Sequence, residues 1–514
     1  MPDLLQMHDS LYDFAALLLS RMKCILPTHF YREKEVETLP SPASMDTDIE
    51  KIIKQVRHYA SIQGISLSRQ LVRFGLPTFF AEWFERWELN NDFKAIYTLL
   101  RNLSREIDIS DLVSYVSRYP GLEALNHNVD STGIIILPRF PAINQPIESV
   151  EIITHDNGLS PEKEPFSWAD TGNHLQMKSL YYTEPKFLST RSGRKIKIEN
   201  YIIERGSPRT CLDKLIVAVC PISRGTFLRT KLENSPDPIT GYVFEITGLN
   251  RKNYIRSRIK AAYLAACQSR ADILMFPEML GEEATFQRDF WDSLCDLADD
   301  AGYKKKPWLI LTPTWWHNYT NELRVYNEGN ECLFEQQKQF PFDYGILKHG
   351  KKVQAAEDIR NPNSVIHILH VNGIGRLMIP ICKDFLIEEY QDIMLRELQA
   401  TVLLIPSFSF GSTRFNLEMS RAIPYGCYEI WLNTCSALWS NGKPPRFIGI
   451  VSSPFLTQDG TPSIHPMLPQ CNGYCGSDND ACMFLATIDL DENRAIHCEH
   501  VADPNYDYLE LAKK

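Results

Sequence analysis

At 514 residues the chain is longer than one hydrophobic core usually organises, which points to two domains. Its 44% hydrophobic content supports globular folding. A formal net charge of -10 disfavours general nucleic-acid or anionic-membrane binding, because an acidic surface repels phosphates.

The opening MPDLLQMHDS lacks the basic n-region and apolar core of a secretion signal, and no segment approaches the roughly 18 apolar residues of a membrane span. The 13 cysteines are scattered, several inside apolar runs such as Cys220 in LIVAVC. That placement suits reduced thiols packed as small hydrophobes better than a disulfide framework. The expected compartment is the cytoplasm, without membrane or nucleic-acid partners.

Over residues 1–120 apolar positions recur at helical spacing, as in SLYDFAALLLSRM and DIEKIIKQVRHYASI, which predicts a helical N-terminal domain. Phe79, Phe80, Trp83, Phe84 and Trp87 fall mostly on one helical stripe. It reads as core packing, with a docking face for a partner protein as the alternative. Residues 121–212 break into strand-like pieces (STGIIILP, VEIITH, KIKIENYIIE) and read as a mixed α/β connecting region.

From residue 213 to 514 strands and helices alternate: LIVAVCPI, a helix near Tyr254 to Arg270, then ADILMFPEM, PWLILTPTW, RLMIPIC and TVLLIPSF. Such alternation predicts an α/β domain whose central strands are buried on both faces. The Pro-, Asp- and Gly-containing stretch Thr230 to Thr247 reads as an excursion between the first strand and its helix. The basic run RKNYIRSRIK, 251–260, reads as the solvated face of that helix.

Reactive side chains in α/β sheets tend to sit where an apolar strand ends and the chain turns out. ADILMFPEM delivers Glu278 in this way and RLMIPICKDF delivers Cys382. The hairpin-like LRVYNEGNECLFEQQKQFPF delivers Lys338 just after its second arm. A thiol, a carboxylate and an amine suffice for acyl transfer without histidine: the carboxylate takes the thiol proton and the ammonium stabilises developing negative charge. Each has a bland reading as well, Cys382 as a packing thiol, Glu278 as a loop carboxylate and Lys338 as a surface lysine on a hairpin edge.

These segments, in this order, resemble the nitrilase or carbon–nitrogen hydrolase superfamily. FPEM resembles the segment carrying the family's catalytic glutamate, and QQKQF the segment carrying its lysine. AAEDIRNPNS resembles the loop with its second glutamate, and IPICKDF its nucleophile turn. TVLLIPSFSF, SRAIPYGCYEIWLN and FIGIVSSPFLTQDG extend the likeness over roughly residues 213–492. The chain departs from the pattern in reading KDFLIEEY after the cysteine, without the usual arginine, and in having Pro424 where a helical glutamate is common.

The resemblance implies an α-β-β-α sandwich with Glu278, Lys338, Cys382 and Glu357 as catalytic residues and the backbone N–H of Lys383 in the oxyanion site. It also implies a dimer or larger homo-oligomer, a small amide or nitrile as substrate, and no cofactor. At the second glutamate, Asp358 is a neighbouring alternative, and a helix N-terminus would also welcome acids there. Lys348 and His349, in the basic KHGKK run, and Ser407 are candidate substrate contacts. The expected activity is hydrolysis of non-peptide carbon–nitrogen bonds through a cysteine thioester, on amides before nitriles. Transfer of the acyl group or of ammonia to another acceptor, and a non-catalytic scaffold in a larger complex, are the rival readings. Cys471, Cys475 and Cys482, with His497, Cys498 and His500, lack the paired spacing of a structural zinc site and read as reduced thiols, without metal.

Overall fold

Runs of aliphatic and β-branched residues frame this computed structural model. It describes residues 54, 134–138, 181–185, 187–190, 193–203, 214–222, 228–235, 241–348, 351–371, 374–398, 400–422, 425, 427–438, 447–456, 462–468, 482–489 and 496–501. The helical domain expected over 1–120, its aromatic stripe and the VEIITH strand lie outside these residues, Lys54 apart.

The chain divides into two compact units, one of Met1–Leu188, Asn200–Cys211 and Leu369–Arg376, the other of Ser189–Glu199, Leu212–Ile368 and Leu377–Lys514. In the first, β1 (Ile134–Pro138) and β2 (Tyr181–Pro185) pair antiparallel.

The remaining strands begin with β3 (Phe187–Ser189), β4 (Lys195–Ile203), β5 (Lys214–Val219), β6 (Leu228–Asn234) and β7 (Tyr242–Leu249). Helix α1 (Lys252–Gln268), β8 (Ile273–Met275), α2 (Arg288–Asp300), β9 (Leu309–Leu311), β10 (Trp315–His317), β11 (Thr320–Asn327) and β12 (Cys332–Gln337) follow. Then come β13 (Asp343–Lys348), β14 (Lys351–Glu357), β15 (Val365–Val371), β16 (Gly375–Met378), α3 (Glu388–Asp392), β17 (Val402–Ser407), α4 (Thr413–Ala422) and β18 (Tyr428–Asn433). The last elements are α5 (Cys435–Leu438), β19 (Gly449–Leu456), β20 (Pro462–Met467), β21 (Met483–Asp489) and β22 (Ile496–Val501).

One eight-stranded sheet runs β10-β11-β9-β8-β5-β21-β22, with β12 pairing β11; a second runs β20-β19-β18-β17-β16-β15-β4-β3. Both are mixed. β5, β8 and β9 are mutually parallel, as are β16, β17 and β18, and these central strands are almost wholly buried. Helix α1 sets its AAYLAA face against Ala218 and Leu274, where small side chains allow close approach, with Trp291 of α2 in the same core.

One expectation is made specific and one changes. The Thr230 to Thr247 stretch is the hairpin β6–β7, in which YVFEITGL buries Phe244 and Ile246 at period two. It joins β13 and β14 in a four-stranded sheet, β7 running parallel to β14 with Phe244 beside Glu357. Its flanking turn residues mask that alternation in the sequence. The run 251–260 is only partly solvated: Ile255 and Ile259 are core residues, and buried Arg258 donates from Nε to the Ile222 carbonyl at 3.1 Å. A guanidinium stem long enough to reach an inward carbonyl defeats a reading by charge alone.

Cys220 and Cys435 are buried thiols, as their apolar surroundings suggest. Among the described residues no helix is long and apolar enough to cross a membrane.

Candidate active site

Glu278 stands just past β8, whose three residues are all buried. The turn that follows is clasped to residues 313–314: Met279 N–H donates to Thr314 Oγ1 at 2.7 Å and Gly281 N–H to the Thr314 carbonyl at 2.8 Å. Met279 has φ 68°, and a Cβ on Gly281 would lie 2.6 Å from the Pro313 carbonyl oxygen. Gly281 is therefore the residue that lets the loop close so tightly on its neighbour.

Lys338 follows the β11–β12 hairpin, whose register places Glu322 opposite Gln337. One step further, Lys338 N–H donates to the Asn321 carbonyl at 2.8 Å, so these two residues face each other at the open end of the hairpin. Glu357 is the last residue of β14, not the start of a helix. Its N–H donates to the Phe342 carbonyl at 2.8 Å and its Oε2 accepts from Phe342 N–H at 2.7 Å. Asp358, the alternative, forms a forked pair with Arg360 at 2.7 and 2.6 Å instead. Consecutive residues on an extended chain point to opposite sides, so only one of the two acids can face inward.

Cys382 opens a short 3₁₀ turn beyond β16 with φ 50°, a left-handed conformation that costs a non-glycine residue about 1–3 kcal/mol and persists only when its surroundings enforce it. Asp384 supplies that enforcement. Its carboxylate accepts Gln339 N–H at 3.0 and 3.1 Å, Phe340 N–H at 2.9 Å and Ile381 N–H at 3.4 Å, tying the cysteine turn to the residues after Lys338.

Four side chains chosen from sequence thus meet. Lys338 Nζ donates to Glu278 Oε1 at 2.6 Å and to Glu357 Oε2 at 2.5 Å, with all three side chains at 0% exposure. Glu278 Oε2 accepts Phe408 N–H at 2.8 Å, and the Glu278 charge acts on the buried Cys382 thiol. Burial pulls the Lys338 ammonium down, but the charges of Glu278 and then Glu357 outweigh it and hold Lys338 well above the usual lysine range. Burial raises Glu357, against the pull of Lys338. The Cys382 thiol is pushed well up by burial and then by the negative charge of Glu278, with Lys338 opposing. The resting sulfur is therefore a thiol, under the influence of the Glu278 carboxylate and the Lys338 ammonium.

Burial pushes Asp384 up to about 7, against the pull of the Lys338 charge and of the three backbone donors. Asp384→Ala is expected to lower unfolding stability by about 2–4 kcal/mol by orphaning those buried N–H groups, measured by denaturant titration. Asp384→Asn keeps one oxygen for Gln339 and Phe340 and should cost less. Because Asp384 is raised in the folded protein, its contribution is fully present below the unfolded aspartate range and is lost as pH rises through about 7. The deficit of the Asn variant should accordingly narrow between pH 5 and pH 8.

The other sequence candidates lie elsewhere or are differently engaged. Lys383, next to Cys382, pairs its side chain with Asp343. Lys348 sits at the tip of the β13–β14 hairpin opposite Lys351, six residues along β14 from Glu357, or about 20 Å at strand spacing; His349 lies outside the described residues. Ser407 is buried and its Oγ accepts the Trp431 indole N–H at 3.0 Å, while the next residue, Phe408, reaches Glu278. Cys482 Sγ lies 3.5 Å from His500 Nε2, and Cys471 and Cys475 are outside the described residues.

Sequence reasoning missed Asn321, whose Nδ2 donates to Glu278 Oε1 at 2.8 Å and Glu357 Oε1 at 3.3 Å. Carrying the hairpin register outward from its turn sets it opposite Gln337; the bulge between Val325 and Tyr326 shifts it by one to face Lys338, which the sequence does not announce. The backbone N–H groups of Phe342 and Phe408 left no trace in residue identity.

No protein-family model matches the sequence, and neither does any curated protein. Solved structures similar to the chain include the C. elegans NitFhit protein, with TM-score 0.32 and 14% identity over 55% of this chain. A mutant of Nesterenkonia AN1 amidase, from the nitrilase superfamily, gives TM-score 0.29 and 14% identity, covering 58% of this chain and 94% of that one. A carbon–nitrogen hydrolase from Helicobacter pylori G27 gives 0.31 and 11%, covering 54% and 90%. The chain spans 62% of the length of NitFhit. These similar structures are nitrilase-superfamily proteins.

Proposed function

We propose that the chain is a hydrolase of non-peptide carbon–nitrogen bonds that works through a thioester on Cys382, on amides in preference to nitriles. The observation that carries this reading is the solvent-excluded cluster in which one ammonium, Lys338, binds two carboxylates, with the buried Cys382 thiol subject to the charges of Glu278 and Lys338.

Glu278 takes the Cys382 proton as sulfur attacks the substrate carbonyl carbon. The oxyanion forms beside Lys338 and the backbone N–H of Lys383, and charge stabilisation is strongest where water is excluded. Collapse breaks the carbon–nitrogen bond as Glu278 returns the proton to the leaving amine. Water, deprotonated by Glu278, then attacks the thioester to release the acid and restore the thiol. Glu357 keeps Lys338 in place through both steps. One acid beside the sulfur suffices to expel an amine from an amide, whereas a nitrile nitrogen must collect protons in successive steps before it can leave.

The test is intact mass after exposure to a panel of aliphatic and aromatic amides, comparing the parent with Cys382→Ala. An acyl adduct, or conversion of amide to acid, is expected from the parent alone. Equal conversion by the Cys382→Ala protein would end the proposal.

A further inference from the structure

Lys338 is not the only group shared by the two carboxylates. The Asn321 amide is buried between them, donating from a single nitrogen to both at 2.8 and 3.3 Å. Ionised carboxylates only accept hydrogen bonds, so this amide must turn Nδ2 toward them; flipping it would set oxygen against oxygen. Its other end, Oδ1, has no hydrogen-bond partner among the described residues. An asparagine kept for packing would satisfy both ends, since an unpaired buried acceptor is destabilising. This one leaves its carbonyl unpaired in order to serve the carboxylates.

We propose that Asn321 is a positioning residue for the acyl-transfer chemistry: its amide bridges Glu278 and Glu357 and holds Glu278 aimed at Cys382. The inference rests on the reading of Glu278 as the base. With Lys338 and Phe408 N–H, Asn321 completes three donors on the Glu278 carboxylate, leaving its remaining acceptor capacity for the thiol. The charged groups facing the bridge are Lys338, Glu278 and Glu357, with Cys382 against Glu278 and Asp384 acting on Lys338 through its charge. Losing the bridge frees Glu278 to rotate away from the Cys382 sulfur.

The experiment measures amide hydrolysis by the full chain, with kcat and KM separated. In Asn321→Leu kcat should fall by about 10²-fold with KM little changed, since a small misplacement of a reacting group costs that much. Asn321→Gln, which restores an amide donor without a new charge, should recover part of the loss and decides the matter if the leucine variant does not fold. Parental kcat in a folded Asn321→Leu or unrecovered loss in a folded Asn321→Gln overturns the role of Asn321. If the native parent hydrolyses no amide of the panel, the reading of the site itself fails, and the bridge with it.

Discussion

Lys338→Met should lose both turnover and stability. The ammonium is fully buried between two carboxylates, so removing it leaves Glu278 and Glu357 facing each other without a cation, whereas a surface lysine could be replaced at little cost. Breaking a buried ion pair on one side typically costs about 3–5 kcal/mol, and that is the loss expected in denaturant unfolding. Methionine fills a similar volume, which separates the charge effect from a cavity effect. The deficit should shrink as pH is lowered, because a proton taken up by the carboxylate pair removes the repulsion the cation had compensated; burial already raises Glu357 in the parent. In the fraction that folds, amide turnover should fall by about 10²–10³-fold, the usual effect of losing one oxyanion donor. A folded variant with parental turnover would remove Lys338 from the chemistry.

Glu278→Gln is the second large expected effect, because it splits two roles that one carboxylate combines. The Glu278 charge raises the Cys382 thiol, so replacing it with a neutral amide should let the thiolate form at lower pH under the influence of Lys338. In the proposed reaction the same change removes the base that takes the thiol proton and the acid that returns it to the leaving amine. Loss of general acid–base assistance is typically worth about 10²–10⁴-fold, and acylation by amides should drop by that much. Thiolate formation, followed by alkylation against pH, should move in the opposite direction. A protein acting by electrostatics alone would become faster, and that outcome would refute proton transfer by Glu278.

Much of the site was legible in the chain. Glu278, Lys338 and Cys382 each follow a strand that announces itself by aliphatic runs or by hairpin alternation. Strand ends are local features, set by residues within a few positions. The resemblance of four short segments, in order, added Glu357. What stayed hidden depended on partners far along the chain. Asn321 carries an ordinary strand identity and becomes part of the site only because Glu278, 43 residues back, and Glu357, 36 residues ahead, converge on its amide. Asp384 was visible only as a residue near Cys382; its task, gathering the N–H groups of Gln339 and Phe340, spans about 45 residues.

The sequence by itself determined the alternating strands and helices from residue 213 onward, the hairpin ahead of Lys338, and the order of the thiol, amine and carboxylates. Each follows from periodicity and turn chemistry acting over a few neighbours. Only the tertiary structure decided that Lys338 is buried, that Glu357 and not Asp358 turns inward, that Arg258 points to a core carbonyl, and that the β6–β7 hairpin lies beside β14. A side chain's charge and burial are set by what strand pairing and packing place against it, and composition along the chain does not encode that neighbour.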